Sequence, residues 1–411
     1  MRINRVVFRK IEDSRGNPTV EIDISTKNNF SRASAPSGAS VGKHEAVAIP
    51  RSLDDLIKFA EEELAPRIVG REPNLGEIDR LLEEVDGTGN FRKIGASISI
   101  AISFAVAKLA AKECGLPLFK YLNNKGDHAL PYPLGNVIGG GKHAVNSTDI
   151  QEFLILPVGA RNVSEAVFTN AEFHKKLKEI LKRKDPNFTG GKNDEGAWTT
   201  TLSLEDVFTI LAELCDVFKE EGVEVRFGVD VAASELWNDN KQKYVYEREG
   251  RELNKEKQIE FIVDAINQYN LIYVEDPLHQ EDFEGFAEIT KECGSKCLIC
   301  GDDIFVTNKS RLEKGIKIGA ANSIIIKPNQ IGLLTKAIEV IRMAKENGYT
   351  PIVSHRSGET TDCTIAHLAV AFSCPIIKTG VVGGERIAKL NELIRIAEML
   401  KEPKMAVIGH G

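Results

Sequence analysis

Six short apolar runs in the second half of the chain constrain its fold most, because each of them ends in a polar side chain. The runs span residues 223–230, 271–275, 297–302, 323–327, 350–355 and 375–378, and they end at Asp230, Glu275, Asp302, Lys327, His355 and Lys378. From Glu275 onward these ends lie 27, 25, 28 and 23 residues apart, and helical patterns such as residues 334–346 fill the gaps. A strand-then-helix repeat of this length predicts a parallel β/α barrel closed by right-handed crossovers.

An open, doubly wound sheet is the alternative architecture for the same repeat. The barrel explains better why successive strands carry a reactive side chain at the same end, because a barrel brings all six ends to one mouth. The predicted fold class is therefore α/β, with a C-terminal, parallel, TIM-like β/α barrel and a smaller N-terminal α+β domain.

The N-terminal part of the chain has its own pattern. Residues 4–12 and 19–24 are strand-like, and turn-forming residues at 13–18 join them into a predicted antiparallel hairpin. Residues 52–122 have helical periodicity. Between these parts, residues 34–44 are mostly small and aperiodic, which is typical of a linker or a mobile lid. The polar stretch 123–127 predicts a boundary between domains at residues 1–126 and 127–411.

Composition argues against several classes of function. The 411 residues include 53 basic and 60 acidic side chains, a net charge of −7, and no basic run suited to nucleic acid. Seven cysteines, an odd number, favour free thiols in a reducing compartment, so we expect a cytoplasmic protein. The best candidate for a membrane segment, residues 98–111, has the length of a core helix and is too short to span a bilayer.

Three successive strand ends carry carboxylates, namely Asp230, Glu275 and Asp302. Hard oxygen ligands gathered at one mouth suit Mg²⁺. Any one of them could instead cap the helix that follows it, because aspartate is common at that position. Three successive strand ends with a carboxylate favour a metal site over three separate helix caps, and two lysines and a histidine at the next strand ends support this interpretation.

The other strand ends predict acid–base chemistry beside an anion. Repulsion among Lys327, Lys378 and a bound dication would favour the neutral amine of Lys327, the form that a general base needs. Glu195 follows a flexible loop and could donate a proton to a departing group. The donors of Arg356 and Ser357 can hold a phosphate. This combination predicts proton abstraction beside a carboxylate, followed by loss of a leaving group.

Eight segments resemble the motifs of the enolase family and occur in the family's order. They are residues 14–21, 37–40, 151–153, 194–196, 275–277, 327–332, 354–360 and 377–380. So many matches in order are far more specific than any single one. The resemblance implies reversible dehydration of 2-phosphoglycerate to phosphoenolpyruvate in glycolysis and gluconeogenesis, with two Mg²⁺ ions per active site, and it implies a homodimer or a homo-octamer.

The resemblance also implies a role for each matched residue. The first Mg²⁺ would be held by the three strand-end carboxylates, and the second by Ser40 and the substrate phosphate, so that residues 34–44 become a lid. Lys327 would take the α-proton, and Glu195, supported by Glu152, would assist departure of hydroxide. The remaining implied site residues bind the substrate or line its pocket: His143, Gln151, His355, Arg356, Ser357 and Lys378.

Several positions depart from the pattern that is common in the family. Gly139 stands where asparagine is common, Asn193 and Ala197 stand where glycines are usual, and Val41 follows the lid serine in place of threonine. None of these departures removes a predicted metal ligand or the predicted base.

Three alternatives remain for the function. Another Mg²⁺-dependent lyase or racemase of the enolase superfamily would not need the phosphate clamp and the lid serine, and both are present. A non-catalytic binding protein with this fold would not need every charged group at the mouth. The spacing of Cys293, Cys297 and Cys300 resembles an iron–sulfur motif, but we expect the last two to point to opposite faces of one strand, where they cannot readily share a cluster.

Overall fold

The computed structural model describes residues 1–39 and 42–409. The strands within these ranges are β1 (Arg5–Glu12), β2 (Pro18–Ser25), β3 (Phe30–Ser34), β4 (Tyr132–Gly139), β5 (Glu152–Leu156), β6 (Arg226–Asp230), β7 (Trp237–Asn238), β8 (Lys243–Tyr246), β9 (Arg251–Leu253), β10 (Tyr273–Glu275), β11 (Leu298–Gly301), β12 (Ser323–Ile326), β13 (Thr350–Ser354) and β14 (Ile376–Lys378).

The α-helices are α1 (Leu53–Phe59), α2 (Ala65–Ile68), α3 (Leu75–Asp86), α4 (Ala96–Glu113), α5 (Leu118–Leu122), α6 (Val163–Lys184), α7 (Leu204–Glu220), α8 (Ala233–Leu236), α9 (Lys255–Tyr269), α10 (Phe283–Cys293), α11 (Lys309–Ile318), α12 (Pro328–Ile331), α13 (Leu334–Glu346), α14 (Thr364–Ala371) and α15 (Gly384–Met399). A π-helical turn, Ala60–Leu64, joins α1 to α2, and a 3₁₀ turn, Gly141–His143, follows β4.

An antiparallel sheet and its helices form the first part of the chain. β1 and β2 make the predicted hairpin, and β3 extends the sheet on the other edge of β2. The alternating pattern of β2 buries Val20, Ile22 and Ile24 on one face, and α4 packs across β2 and β3 on that sheet. Helix α4 is buried along nearly its whole length because α3 and α5 also contact it. The segment 98–111 is therefore a core helix, as predicted.

Eight strands close into a barrel in the order β4-β5-β6-β10-β11-β12-β13-β14. The predicted barrel is confirmed, and the open sheet is excluded. One strand departs from the predicted parallel arrangement, since β5 runs antiparallel to both β4 and β6. The described connection between β4 and β5 holds only the 3₁₀ turn Gly141–His143 and no crossover helix, so the chain turns back and β5 runs antiparallel.

Two apolar layers surround the barrel wall. Ile325 lies inside the barrel with residues such as Leu154 and Ile352, whereas Ile324 and Ile326 pack in the layer between strands and helices. The isoleucine run of β12 is thus buried on both faces, because adjacent side chains of a strand point in opposite directions. The same alternation separates the cysteines, with Cys300 inside the barrel and Cys297 outside it.

The strand ends lie where the repeat predicted them. Three reactive residues end their strands and three follow their strands by one residue: Asp230, Glu275 and Lys378 in the first group, and Asp302, Lys327 and His355 in the second. Parallel strands of a barrel present their carboxyl ends at the same mouth, so these side chains converge. Across residues 1–39 and 42–409, no helix combines the length and the apolar character needed to cross a membrane.

Candidate active site

A cavity of about 30 Å³ lies at the mouth of the barrel, and most of the predicted site residues line it. Those residues are Lys327, Glu195, Glu152, His355, His143, Gln151, Arg356, Ser357, Lys378, Asp230 and Asp302. Glu275 is fully buried behind the cavity and accepts a hydrogen bond from the Lys378 ammonium at 2.7 Å. Ser40 lies outside the described residues, although its neighbours Gly38 and Ala39 line the cavity. The fold therefore gathers residues that are far apart in sequence into one small polar space.

Lys378 is the centre of the charged groups on one side of the cavity. Its ammonium lies 3.0 Å from Asp230, 2.7 Å from Glu275 and 3.0 Å from Glu152. Burial alone would lower the pKa of Lys378, but Asp230, Glu152 and Glu275 raise it well above its usual value. Lys378 is therefore a permanent cation that offsets part of the negative charge at the mouth.

Lys327 pairs with a carboxylate in this structure, a contact that the sequence-based expectation about Lys378 and a bound dication did not include. Its ammonium donates a hydrogen bond to Oδ2 of Asp302, and Gln330 donates one to Oδ1 of the same carboxylate at 2.9 Å. Burial lowers the pKa of Lys327, but Asp302 and Glu275 raise it, and the net shift is upward.

The strand-end carboxylates fit a divalent cation. Burial, and then the charge of Asp230, raises the pKa of Glu275 to about 8, so these carboxyl groups disfavour one another's ionised forms. Within the described residues, Oε1 of Glu275 is buried without a hydrogen-bond partner. A dication would satisfy that oxygen and relieve the repulsion, and the oxygen donors of Asp230, Glu275 and Asp302 are of the type that Mg²⁺ prefers.

A second acidic group lies next to the predicted ligands but is already satisfied. Carboxylate oxygens of Asp276, Asp302 and Asp303 lie within 4.8 Å of one another. The two oxygens of Asp276 accept the backbone N–H groups of Asp302 at 3.0 Å and of Asp303 at 2.7 Å. Asp276 therefore holds the end of β11 in place, which sets the direction of Asp302.

Two carboxyl groups with opposite pKa shifts share the other side of the cavity. Nδ1 of His143 lies 3.8 Å from both Glu152 and Glu195. Burial, and then the charge of Glu195, raises the pKa of Glu152 well above its usual value. Burial acts in the same direction on Glu195, but His355 and His143, together with the nearby cations Arg386 and Lys378, outweigh it and lower its pKa. The two carboxyl groups therefore differ in acidity, and Glu152 is the more readily protonated of the pair.

The predicted phosphate donors hold the described part of the lid segment. Arg356 makes a two-pronged ion pair with Glu45, with nitrogen–oxygen distances of 2.9 and 3.1 Å. The hydroxyl of Ser357 accepts the N–H of Ala39 at 2.7 Å. Ala39 is thus docked on the strand end that carries the clamp. An incoming phosphate would compete with the Glu45 carboxylate for the guanidinium of Arg356.

Sequence reasoning missed three residues that support the site. Asn136 donates a hydrogen bond to Oε2 of Glu195 at 3.1 Å, Glu45 pairs with Arg356, and Arg386 donates to the carbonyl oxygen of Ser357 at 2.6 Å. Asn136 was detectable in principle, because it is a polar residue inside the apolar run of β4. The other two come from distant parts of the chain, and no local pattern indicates their contacts.

Comparison with known proteins agrees with the geometry. Residues 3–122 match the family described as "Enolase, N-terminal domain", and residues 127–408 match "Enolase, C-terminal TIM barrel domain". The enolase of Methanothermobacter thermautotrophicus is 53% identical over 408 residues, which cover 98% of each chain. The enolase of Archaeoglobus fulgidus is 50% identical over 411 residues, covering 99% of this chain and 100% of that protein. Both domain matches and full-length relatives lead to one conclusion: the chain belongs to the enolase family of hydro-lyases.

Proposed function

We propose that the chain catalyses the reversible dehydration of 2-phospho-D-glycerate to phosphoenolpyruvate. The observation that supports this most directly is that one small cavity is lined by Lys327, by the Glu152–Glu195 pair and by the carboxylates Asp230 and Asp302. A base, a proton-holding carboxyl pair and an oxygen-rich cation site are the three parts that α-proton abstraction and hydroxide loss require. Family membership supports the same reaction.

The base and the acid have separate tasks in this proposal. Lys327 removes the proton from C2 of the substrate, and the electron pair left behind forms the C2–C3 double bond as the C3 hydroxyl leaves. Glu195 transfers a proton to that hydroxyl, so that it departs as water. Because Glu152 is the more readily protonated of the pair, we infer that Glu152 supplies the proton that Glu195 hands on.

The remaining residues bind and orient the substrate. Lys378 is a buried cation that steadies the substrate carboxylate, and Arg356 with Ser357 holds the phosphate. His143, Gln151 and His355 line the space between these two ends. Fixing both anionic ends of a three-carbon substrate holds C2 beside Lys327 and C3 beside Glu195, which lowers the entropic part of the barrier.

Magnesium is the cation that fits this donor set, and enolases in general depend on it. We propose two Mg²⁺ ions per site, the first held by Asp230, Glu275 and Asp302 and the second by Ser40 together with the substrate phosphate. When bound, the ions supply positive charge beside the substrate carboxylate, whose negative charge grows as the C2 proton leaves. Asp302 is shared between Lys327 and the first ion, so cation binding and the protonation of Lys327 are linked through this carboxylate.

The proposal extends to the organisation of the protein. We propose domains at residues 1–126 and 127–411, with residues 34–44 of the first acting as a lid over the site in the second. We also propose a cytoplasmic location and a homodimeric or homo-octameric assembly, as the family resemblance implies.

The test is an assay of the purified protein with 2-phosphoglycerate and Mg²⁺, following the ultraviolet absorbance of phosphoenolpyruvate. We expect product with Mg²⁺, and none after the cation is removed with a chelator, with recovery when Mg²⁺ is added back in excess. Folded protein that forms no product at saturating Mg²⁺ would overturn the proposal.

A further inference from the structure

We propose that Asn193 is a positioning residue for Glu195, and that residue 139 is glycine because the Asn193 side chain occupies its side-chain space. The two positions then act as one unit that places the acid group. This inference rests on the proposed role of Glu195 in proton transfer. Asn193 and Gly139 are 54 residues apart in the sequence and lie on different segments, so no local sequence pattern indicates that they are in contact.

A tight turn carries Glu195, and Asn193 accepts the backbone N–H groups of Glu195, Gly196 and Ala197. The side-chain Oδ1 of Asn193 accepts the N–H of Glu195 at 3.0 Å and the N–H of Ala197 at 2.9 Å. Its backbone carbonyl accepts the N–H of Gly196 at 3.0 Å, and its own N–H donates to the carbonyl of Ala197 at 2.9 Å. Asparagine side chains stabilise turns in this way because they replace backbone acceptors.

Other contacts hold the turn, but they act on its neighbouring residues. Asp194 forms an ion pair with Arg15 at 3.0 Å, and its carbonyl accepts a hydrogen bond from Arg386 at 3.2 Å. His174 holds the carbonyl of Gly196 at 2.9 Å. Only the Asn193 amide engages the backbone N–H of Glu195 among these contacts. Asn193 therefore sets the direction in which the Glu195 side chain leaves the turn.

Gly139 provides the room for that amide. A Cβ atom built on Gly139 would lie 2.1 Å from Nδ2 and 2.7 Å from Cγ of Asn193, which is far inside van der Waals contact. Nδ2 of Asn193 is buried and has no hydrogen-bond partner in the part of the chain that the structure describes. Gly139 also pairs with Glu152 across β4 and β5. The shared volume thus lies between the two carboxyl-bearing segments, and one side chain fills it.

An exchange of the two residues follows from this geometry. The Cβ atom of an asparagine at position 139 would lie where the Asn193 amide is now. The asparagine side chain could therefore fill the same volume if residue 193 were glycine. The two side chains cannot be present together.

The experiment is a four-protein cycle of wild type, Gly139→Asn, Asn193→Gly and the double variant. The wild type must first convert 2-phosphoglycerate, since failure there refutes the proposed function and not the coupling. We expect each single variant to lower kcat by about 100-fold, as small misplacements of a catalytic group do, with a smaller change in KM. The double variant should recover to within about 10-fold of wild type, because coupled sites are not additive.

Two further measurements separate positioning from general loss of structure. Amide hydrogen exchange at residues 195–197 should be faster in Asn193→Gly than in wild type. It should be slower in Asn193→Ser than in Asn193→Gly, because the serine hydroxyl can accept one of the two N–H groups. The matched control is Asn74→Gly, which removes the same kind of bond at the start of α3, where Asn74 accepts the N–H of Glu77 at 3.1 Å. The control should lower the unfolding midpoint and leave kcat unchanged. Unchanged kcat in Asn193→Gly, or a double variant as poor as the product of the single losses, would overturn the inference.

Discussion

Arg386 donates a hydrogen bond from its guanidinium to Nδ1 of His355 over 2.7 Å. Because a guanidinium has only donors, Nδ1 of His355 must be the unprotonated ring nitrogen. Burial, and then the positive charge of Arg386, lowers the pKa of His355 well below its usual value, so the imidazole is neutral. Its single proton is therefore on Nε2, which lies 3.6 Å from Glu195. His355 presents an N–H donor to the acid group and does not add a second cation.

The first prediction concerns this tautomer. Arg386→Met should release Nδ1 and give a mixture of neutral tautomers, visible in the ¹⁵N chemical shifts of His355, which a His355→Gln variant would assign. We expect kcat to fall by about 10- to 100-fold, the usual cost of losing an outer hydrogen-bond partner of an active-site group.

Lys389→Met is the matched control for the first prediction, because Lys389 is equally buried and comes from the same helix, α15. Its ammonium contacts Glu359 and the carbonyl of Thr360, both at 2.9 Å, and does not contact His355 in the described structure. The control should lose stability but keep the wild-type tautomer. Wild-type ¹⁵N shifts of His355 in Arg386→Met would show that Arg386 does not set the tautomer.

The second prediction separates the base from the acid. In deuterated solvent, Lys327→Ala should lose exchange of the substrate C2 proton, whereas Glu195→Gln should block dehydration and retain some exchange. A general acid or base typically accelerates a reaction by about 10²- to 10⁴-fold, so each variant should lose a large part of the rate of its own step. The control is Lys336→Ala. Lys336 does not line the cavity, and its ammonium lies 2.5 Å from Glu83. Equal exchange in the two site variants would contradict the division of roles.

The third prediction concerns the two proposed cations. Calorimetric titration of Mg²⁺ in the presence of substrate should show that Ser40→Ala weakens the second binding event more than the first. Asp302→Asn should do the opposite, because Asp302 is proposed as a ligand of the first ion. The two variants act as controls for each other. The same loss at both binding events in Ser40→Ala would refute a role for Ser40 at the second ion.

The fourth prediction is a pH effect on stability through His174. This residue is a packing histidine, stacked on Trp198 with ring centroids 4.5 Å apart. Burial lowers its pKa to about 4 from an ordinary value of 6.5. The unfolded chain therefore binds a proton more readily between these values, so the free energy of unfolding falls as pH drops from 6.5 to 4. The shift corresponds to at most about 3 kcal/mol.

His174→Gln should remove most of that acid sensitivity while keeping a donor for the carbonyl of Gly196. Chemical denaturation at pH 7, 5.5 and 4 measures the free energy of unfolding of both proteins. Between pH 7 and 9, this free energy should change with pH equally in wild type and His174→Gln. An equal fall in stability of wild type and His174→Gln below pH 6.5 would show that another group causes it.

Much of the architecture was predictable from local patterns. The apolar alternation of β2 and the all-apolar run of β12 are determined by which faces of a strand are buried, and burial leaves a period in the sequence. The regular spacing from Glu275 to Lys378 identified the strand ends of the barrel for the same reason. The strand β5 lacks this spacing, since the chain reaches it by a short turn back from β4, and its antiparallel direction was not predicted.

The sequence by itself determined the residue types at the mouth and the barrel that brings them together, because side-chain periodicity and repeat length are properties of neighbouring residues. Only the tertiary structure decided which charged groups meet. Lys327 pairs with Asp302, Arg356 with Glu45 and Arg386 with His355. Together with burial, these contacts shift the pKa values of Lys327, Arg356 and His355. In a buried site of low dielectric constant, charges a few ångströms apart interact strongly, so the identity of the nearest neighbours matters. Those neighbours come from segments far apart in the chain, so folding, and not local sequence, selects them.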